Sequence, residues 1–334
     1  MTTNPGKRPV RALGLFSGGL DSMLAALVLR QQGIEVTGLV WVTPFFTAAR
    51  AQLSAAAINL TIRVEDLTER YLHLLYAPPR GFGKWMNPCV DCHLLMLQEA
   101  GRIMTAEGYD FLFTGEVVGQ RPFSQNKGSL NLIANASGYG DVLLRPLSAR
   151  LLKMTKPERE GLVDRDRLLN ISGRGRKRQM ELAAHFGITD YPAPAGGCLL
   201  TNPGYAARLR DLVQHLPQAE LTRTDLELLK HGRQFRLSPT LKVHVGRDQR
   251  DNEAMEALVR PGDLLLKALG YPGPLVLIPQ APLDADLTLP AALCASYSDA
   301  PPGARVVVQI EGRPPTRQLV SQRQSRESFQ AFLL

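Results

Sequence analysis

The stretch Leu15-Phe16-Ser17-Gly18-Gly19-Leu20-Asp21-Ser22 lies between two apolar runs, Ala12 to Phe16 before it and Met23 to Leu29 after it. That order reads as strand, tight glycine turn and helix N-terminus. Gly18 and Gly19 permit backbone angles and a close ligand approach that a Cβ would block. The free N–H groups of the turn and of the first helical residues then point at one spot, which favours an anion. Ser17 and Ser22 add hydroxyl donors, and Asp21 can hold a metal ion or cap the helix. The pattern is not G-x-x-x-x-G-K-[ST], which excludes the Walker-type phosphate loop. The bland alternative is an ordinary glycine turn with a Ser or Asp cap.

Outward from this loop, residues 11–115 alternate strand-like and helix-like segments. Strands are predicted at Ala12–Phe16, Val36–Val42, Leu60–Val64 and Asp110–Thr114, and helices near Ser22–Gln32, Phe45–Ile58, Leu67–Leu75 and Cys89–Ala106. Runs such as Val36 to Val42 lack clean alternation, as expected of strands buried on both faces. Alternating β and α units predict an α/β fold with a doubly wound parallel sheet. Ligands bind such sheets beyond the C-terminal strand ends, so Ser17 onward, Trp41–Pro44 and Thr114-Gly115-Glu116 should converge on one site. Backbone near Val40 and Gly115 is expected to border a nucleoside there, with Glu116, Gln120 and Arg121 as further site residues. From Leu241 a smaller α+β module is predicted. The expected domains are therefore 1–215, a helical connector 216–236, and 237–334.

The chain has 334 residues, 44% hydrophobic and 21% charged, values ordinary for a globular protein of two domains. No apolar run approaches a membrane span, and Met1 to Arg11 has no signal-like core. A cytoplasmic protein with no membrane partner is the expectation. The formal charge is +8, and Arg145 to Arg178 alone holds 11 basic against 4 acidic residues. Such a block attracts polyanions, and nucleic-acid phosphates are the commonest of these. Arg174, Arg176, Lys177 and Arg178, beside two glycines, are its densest part.

Four cysteines in such a chain argue against structural disulfides. Cys89 and Cys92 form a CxxC at a predicted helix start, where a thiolate is favoured. Cys198 follows Gly196 and Gly197. The spacing alone leaves several readings open: a zinc site with His93 as fourth ligand, a redox pair, three thiolates on a [4Fe-4S] cluster with one iron free, or unrelated buried cysteines. Cys294, in an apolar helix, reads as a small buried hydrophobe.

The loop SGGLDS resembles the pyrophosphate loop of the PP-loop ATPases. With NPCVDC and GGCLLT, it makes residues 11–210 similar to the tRNA-thiolating branch of that family, the 2-thiouridylases and 4-thiouridine synthetases. The resemblance implies an enzyme that uses ATP and Mg²⁺ to adenylate a uridine carbonyl oxygen of tRNA, releasing pyrophosphate. Sulfur from a donor, inorganic sulfide or a sulfur-carrier protein, then displaces AMP. It implies that Ser17, Gly18, Gly19, Asp21 and Ser22 hold the pyrophosphate end of ATP. It also implies that Cys89, Cys92 and Cys198 hold a [4Fe-4S] cluster, as in the iron–sulfur-dependent members. Many 2-thiouridylases have Asp where this chain has Cys89, which favours the cluster branch. The alternatives are a Cys198 persulfide resolved by Cys92, or a PP-loop ligase acting on something other than RNA. Arg174, Arg176, Lys177 and Arg178 would hold tRNA phosphates. The short N-terminus is expected to leave no room for the amino-terminal RNA-binding domains of classical 4-thiouridine synthetases, so RNA is expected to be held elsewhere. The later module, with Val245-Gly246-Arg247, Asn252 and Pro261-Gly262-Asp263, resembles the NFACT-R RNA-binding domain. Leu266, Lys267 and Pro274-Leu275 depart from that domain's pattern.

Overall fold

A computed structural model describes residues 8–121, 123–191 and 198–334. The chain divides into two units, one ending at Thr201 and the other Asn202–Leu334. The division falls ahead of the boundary at 215 read from the sequence. The helix that follows Asn202 belongs to the second unit, where Tyr205 donates to the Leu226 carbonyl at 3.1 Å.

In the first unit the elements run β1 (Arg11–Leu15), α1 (Leu20–Arg30), β2 (Glu35–Val42), α2 (Ala49–Ala57), β3 (Thr61–Asp66) and the short α3 (Thr68–Tyr71). Then come α4 (Cys89–Glu107), β4 (Phe111–Thr114), α5 (Lys127–Ser137), β5 (Leu143–Leu144), α6 (Lys156–Arg159) and α7 (Lys177–His185). The five strands form one parallel sheet in the order β3-β2-β1-β4-β5. The α/β class is therefore as expected. β1 and β4 are sheet neighbours although β2 and β3 lie between them in sequence, so the order reverses at β1 and a crevice opens between the C-terminal ends of β1 and β4. Leu13, Leu39, Leu112 and Phe113 are almost wholly buried, which explains why these strands show no alternation. Against one part of the sheet, Met23, Leu24 and Val28 of α1 pack with Ala51 and Ala55 of α2 and with Ala183 of α7. The sequence reading did not anticipate α5, whose N-cap Asn126 accepts from the Ser129 amide at 2.8 Å.

The second unit contains α8 (Pro203–His215), α9 (Arg223–Leu228), β6 (Arg233–Ser238), β7 (Leu241–Val245), α10 (Gln249–Glu256), β8 (Leu264–Leu269), β9 (Val276–Ile278), α11 (Thr288–Tyr297), β10 (Arg305–Glu311) and β11 (Arg317–Gln322). Six antiparallel strands order as β11-β10-β8-β9-β7-β6. Their core joins Phe235, Val243, Leu266, Ile278 and Val308 to α11, where Cys294 is fully buried as a small apolar group. Burial pushes its thiol up to about 12. One expectation is corrected here. Residues 233–236, read as the end of a helical connector, form β6, because Phe235 is buried in this core and the strand pairs with β7. Among the described residues no helix is long and apolar enough to cross a membrane.

Gly14 of β1 sits where a Cβ would land inside the buried ring of Phe113 on β4. Gly14→Ala is expected to lower stability by about 1–3 kcal/mol, because an overpacked core must shift or strain. The control is Gly175→Ala, which meets open space. Urea unfolding compares them, and equal midpoints for the two variants would refute the packing account.

Candidate active site

The loop after β1 forms as the sequence dictates. Gly18 takes φ +71°, and a Cβ there would meet the backbone of Ala51 at 2.6 Å. Its carbonyl accepts from Ser54 Oγ of α2 at 2.7 Å, so Gly18 shapes and anchors the turn and does not line the cavity. Gly19 caps α1 without a side chain, and its carbonyl accepts from the Ser22 and Met23 amides at 3.0 and 3.1 Å. The Ser22 hydroxyl turns back to the same carbonyl at 2.7 Å. Leu20 and Asp21, the first helical residues, keep amides with no intrahelical acceptor, at the positive end of the helix dipole.

A cavity of about 640 Å³ opens at this loop. Ser17, Gly19, Asp21 and Ser22 line it on one side, Val40 and Trp41 from the end of β2 on another, and Gly115 and Glu116 from the end of β4. The predicted convergence of three strand ends is thus present. Gln120 and Arg121 line it too, as expected. Gln120 Nε2 donates to Asp21 Oδ2 at 3.0 Å. Asp21 Oδ1 is buried with no hydrogen-bond partner among the described residues. Burial raises the Asp21 carboxyl, while Gln120 and then Arg176 oppose the shift. An orphaned carboxylate oxygen beside helix-start amides is the donor set a Mg²⁺–phosphate unit takes.

The basic run divides. Arg174 and Arg176 line the cavity, whereas Lys177 and Arg178 are exposed outside it, with Arg178 bonded to Asn170 Oδ1 at 2.8 Å. Other members of the 145–178 block are paired: Arg159 with Asp141 at 2.7 Å, and Arg165 with Glu158. Sequence reasoning missed Arg50, which lines the cavity from α2, and His93 as a cavity residue.

Sequence reasoning also missed the partner of Glu116. This carboxylate is 7% exposed, and Arg145, 5% exposed, donates to its Oε2 from Nε at 2.9 Å. Thr114 Oγ1 donates to the same oxygen at 3.0 Å, and His93 Nδ1 stands 3.1 Å from Oε1. Burial favours the neutral acid, but Arg145 and His93 outweigh it and hold the carboxyl at about 2. Arg145 lies 29 residues from Glu116, so no local pattern links them.

The cysteines gather beside this cavity. Cys89 opens α4 and accepts from Asn87 Nδ2 at 3.2 Å. Cys92 is buried within reach of the Tyr71 hydroxyl, and Cys198 lines the cavity. Burial pushes the Cys92 thiol well up, and the neighbouring Cys198 and Cys89 add to the shift. Burial likewise holds Cys198 up at about 11, with Cys89 contributing. The three thiols thus feel one another across one small region. Among the described residues, as the side chains stand, no group of three or more His, Cys, Asp or Glu is close enough to hold a metal ion. His93, a candidate zinc ligand in the sequence, is engaged with Glu116. Gly196 and Gly197 lie outside the described residues.

Comparison with known proteins agrees with both halves of the expected resemblance. A family model described as "NFACT protein RNA binding domain" matches residues 232–333. A tRNA sulfurtransferase of Desulfurococcus amylolyticus is 30% identical over 151 residues, 43% of this chain and 31% of that protein. Proteins called tRNA-specific 2-thiouridylase MnmA match too. That of Syntrophomonas wolfei is 37% identical over 24% of this chain and 25% of its own length. That of Sulfurimonas denitrificans is 31% identical over 31% and 33%. The chain resembles tRNA-thiolating proteins and, over residues 232–333, the NFACT RNA-binding domain. It spans between a quarter and a third of the length of these relatives.

Glu116 gives a pH prediction. Its folded value lies below its ordinary 4.5, so its contribution is complete above about pH 4.5 and is lost as pH falls toward 2. The wild type should lose on the order of 3 kcal/mol through this window, a loss absent from Glu116→Gln. Urea midpoints measured at steps across the window test it, and parallel pH slopes for the two proteins would overturn it.

Proposed function

We propose that the protein is an ATP-dependent tRNA uridine thiolase. The observation that carries the reading is the single cavity into which the SGGLDS loop, the ends of three parallel strands and Cys198 all open. Its volume suits a nucleotide with a base beside it. The strand order with its reversal at β1, together with the right-handed crossover rule, supports a doubly wound PP-loop domain.

In this mechanism the Gly19–Asp21 amides and Ser17 receive the pyrophosphate end of ATP. Asp21 would hold Mg²⁺ through its orphaned oxygen, and Ser22 keeps the turn closed. Val40 and Gly115 border the nucleoside. Arg50, Arg121, Arg174 and Arg176 surround the cavity with positive charge, which favours the polyphosphate and the charge that develops as pyrophosphate leaves. The target uridine leaves its stack to enter. Its carbonyl oxygen attacks the α-phosphorus, and sulfur then replaces AMP at the activated carbon. Lys177 and Arg178, outside the cavity, would meet tRNA phosphates, with the NFACT-like unit as a second RNA-holding element. The coupled thiols of Cys89, Cys92 and Cys198 supply the donor set for a [4Fe-4S] cluster. A cluster spreads its ligands over three irons and so wants thiols farther apart than a single ion does. When bound, it would offer an iron position to the incoming sulfur. In a second reading the Cys198 thiolate takes sulfane sulfur from a donor persulfide, and the Cys198 persulfide displaces AMP at the carbon. Cys92 then attacks Cys198 Sγ to release the thiouridine and leave a Cys92–Cys198 disulfide. The placement of Cys198 alone of the three on the cavity wall favours this reading. A cytoplasmic setting, where thiols stay reduced, suits either chemistry.

Nucleosides from tRNA of strains with and without the gene test the reading, and thiouridine content should fall when the gene is lost. Unchanged thiouridine would sink it. Cys198→Ala should abolish sulfur transfer and leave ATP binding within about twofold, since the residue touches no phosphate-end group. Iron and acid-labile sulfide in anaerobically purified protein decide between cluster and persulfide: a colourless, iron-free protein that thiolates tRNA rules out the cluster.

A further inference from the structure

We propose that a second cavity, at the end of β11 in the second unit, holds a backbone phosphate of RNA with Arg323 and Arg326. The proposal rests on the thiolation reading in taking tRNA as that RNA, and it names where the second unit grips the chain.

The cavity measures about 460 Å³ and is lined by Pro302, Gly303 and residues 323–327. Its main chain is tied to the elements around it. Where β11 ends, the Arg323 amide donates to the Ala304 carbonyl at 2.8 Å, one step past the Arg305–Gln322 pair of β10 and β11. The Gln324 amide donates to Ser296 Oγ of α11 at 2.9 Å, and Ser296 is fully buried. The stretch is thus fastened to a strand and to a helix.

The two arginine side chains are fastened as well. Arg323 Nη1 donates to the Ala300 carbonyl, and Arg326 Nε donates to the Ser296 carbonyl at 3.4 Å. The Arg326 guanidinium also stands 5.0 Å from the centre of the Tyr297 ring. A guanidinium carries five N–H donors, and each of these carbonyl bonds uses one. Capping the carbonyls at the end of α11 therefore accounts for one donor apiece and leaves the charges uncompensated. Neither arginine has a carboxylate partner among the described residues. Other arginines of this unit are spent: Arg236 on Asp211, Arg247 on Asp251 and Arg260 on Asp225. The acid on the cavity wall, Glu327, accepts from the Ser325 hydroxyl. The wall carries two positive charges against one negative.

An anion removes that imbalance, and the donors suit phosphate. Planar guanidinium forks match phosphate oxygens two at a time, which an ammonium does not. Their anchorage on carbonyls and on a ring means that little rotamer freedom is lost on binding. The volume exceeds what one phosphate fills, so the sugar of a continuing chain fits beside it.

The test measures binding of labelled tRNA to the full-length protein over a series of salt concentrations, with a non-hydrolysable ATP analogue present. Arg323→Gln/Arg326→Gln keeps amides that can donate to the same carbonyls, and circular dichroism checks its fold. Its affinity should fall about tenfold or more. Its slope of log affinity against log salt should shrink by about 1 to 2. Arg305→Gln/Arg317→Gln removes the same charge from exposed positions outside the cavity and should lose less than about threefold. Equal losses in the two double variants, or an unchanged salt slope in the first, overturn the proposal. It is also overturned if the cavity variant loses inorganic phosphate by calorimetry yet holds tRNA as the control does, which assigns the cavity to a free phosphate. The two levels separate. Lost tRNA affinity in the cavity variant, with thiouridine independent of the gene, sinks only the reaction. Thiouridine that depends on the gene, with tRNA held equally by both variants, sinks only this cavity.

Discussion

The backbone of Asp21 and Ser22 occupies the space where a Cβ on Gly115 would stand, with Ser22 N only 2.5 Å from that point. The end of β4 and the turn after β1 are therefore in direct backbone contact, and everything in the cavity is referred to that contact. It is possible because β1 and β4 are hydrogen-bonded neighbours in register, Leu15 beside Thr114. One residue further, Glu116 enters the cavity; one residue back, Thr114 supports it. The helix-start amides of α1 and the Glu116 carboxylate thus face one volume at a spacing fixed by main chain. Main-chain contacts of this kind carry no rotamer entropy, so they hold geometry more firmly than paired long side chains do. Gly18 makes a second contact of the same sort against Ala51, which brings α2, and with it Arg50, to the cavity wall.

The electrostatics divides into charge that is spent on the fold and charge that is left for a ligand. Arg145 and Glu116 neutralise each other in burial, and removing one partner of such a pair typically costs about 3–5 kcal/mol because the other is left uncompensated. Asp21 differs. Gln120 and Arg176 lower its carboxyl less than burial raises it, and one oxygen has no partner among the described residues. Arg50, Arg121, Arg174 and Arg176 line the same cavity, and of these Arg176 and Arg121 act on the Asp21 carboxyl. A bound cation with a polyphosphate would satisfy Asp21 and the arginines together, and neither component would do so alone.

The parallel sheet and the loop were legible because their signals are local: unbroken apolar strands, glycines at a turn, and one helix start after another. The strand Arg233–Ser238 was not legible. Its few residues follow a helical stretch, and only pairing with β7 and burial of Phe235 make them a strand. The helix Lys127–Ser137 was missed in a stretch whose glycine and asparagine content reads as loop. In the site, Asp21 and Gly115 could be named because each sits in a motif. Arg145 could not be read correctly, since in the sequence it is one of eleven basic residues in a run. Charge composition gives the sum of such a block and says nothing of which members turn inward. That is why Arg174 and Arg176 read as RNA contacts and yet line the cavity.

The thiols show how the two halves of the cavity constrain each other. Burial keeps Cys92 and Cys198 protonated, and each thiolate formed nearby makes the next harder to form. Three ionised sulfurs in so small a region need compensating positive charge. A cationic cluster would supply that charge and displace the three protons together. A single persulfide at Cys198 needs only one ionisation, at the cysteine that is both the less strongly shifted of the two and the one on the cavity wall. The same burial that makes a metal-free trithiolate costly therefore separates the two sulfur chemistries. Under the proposed thiolation, a cluster would require the three cysteines to ionise as a set, whereas a persulfide would require only Cys198 to ionise, with Cys92 a neutral thiol until it is oxidised.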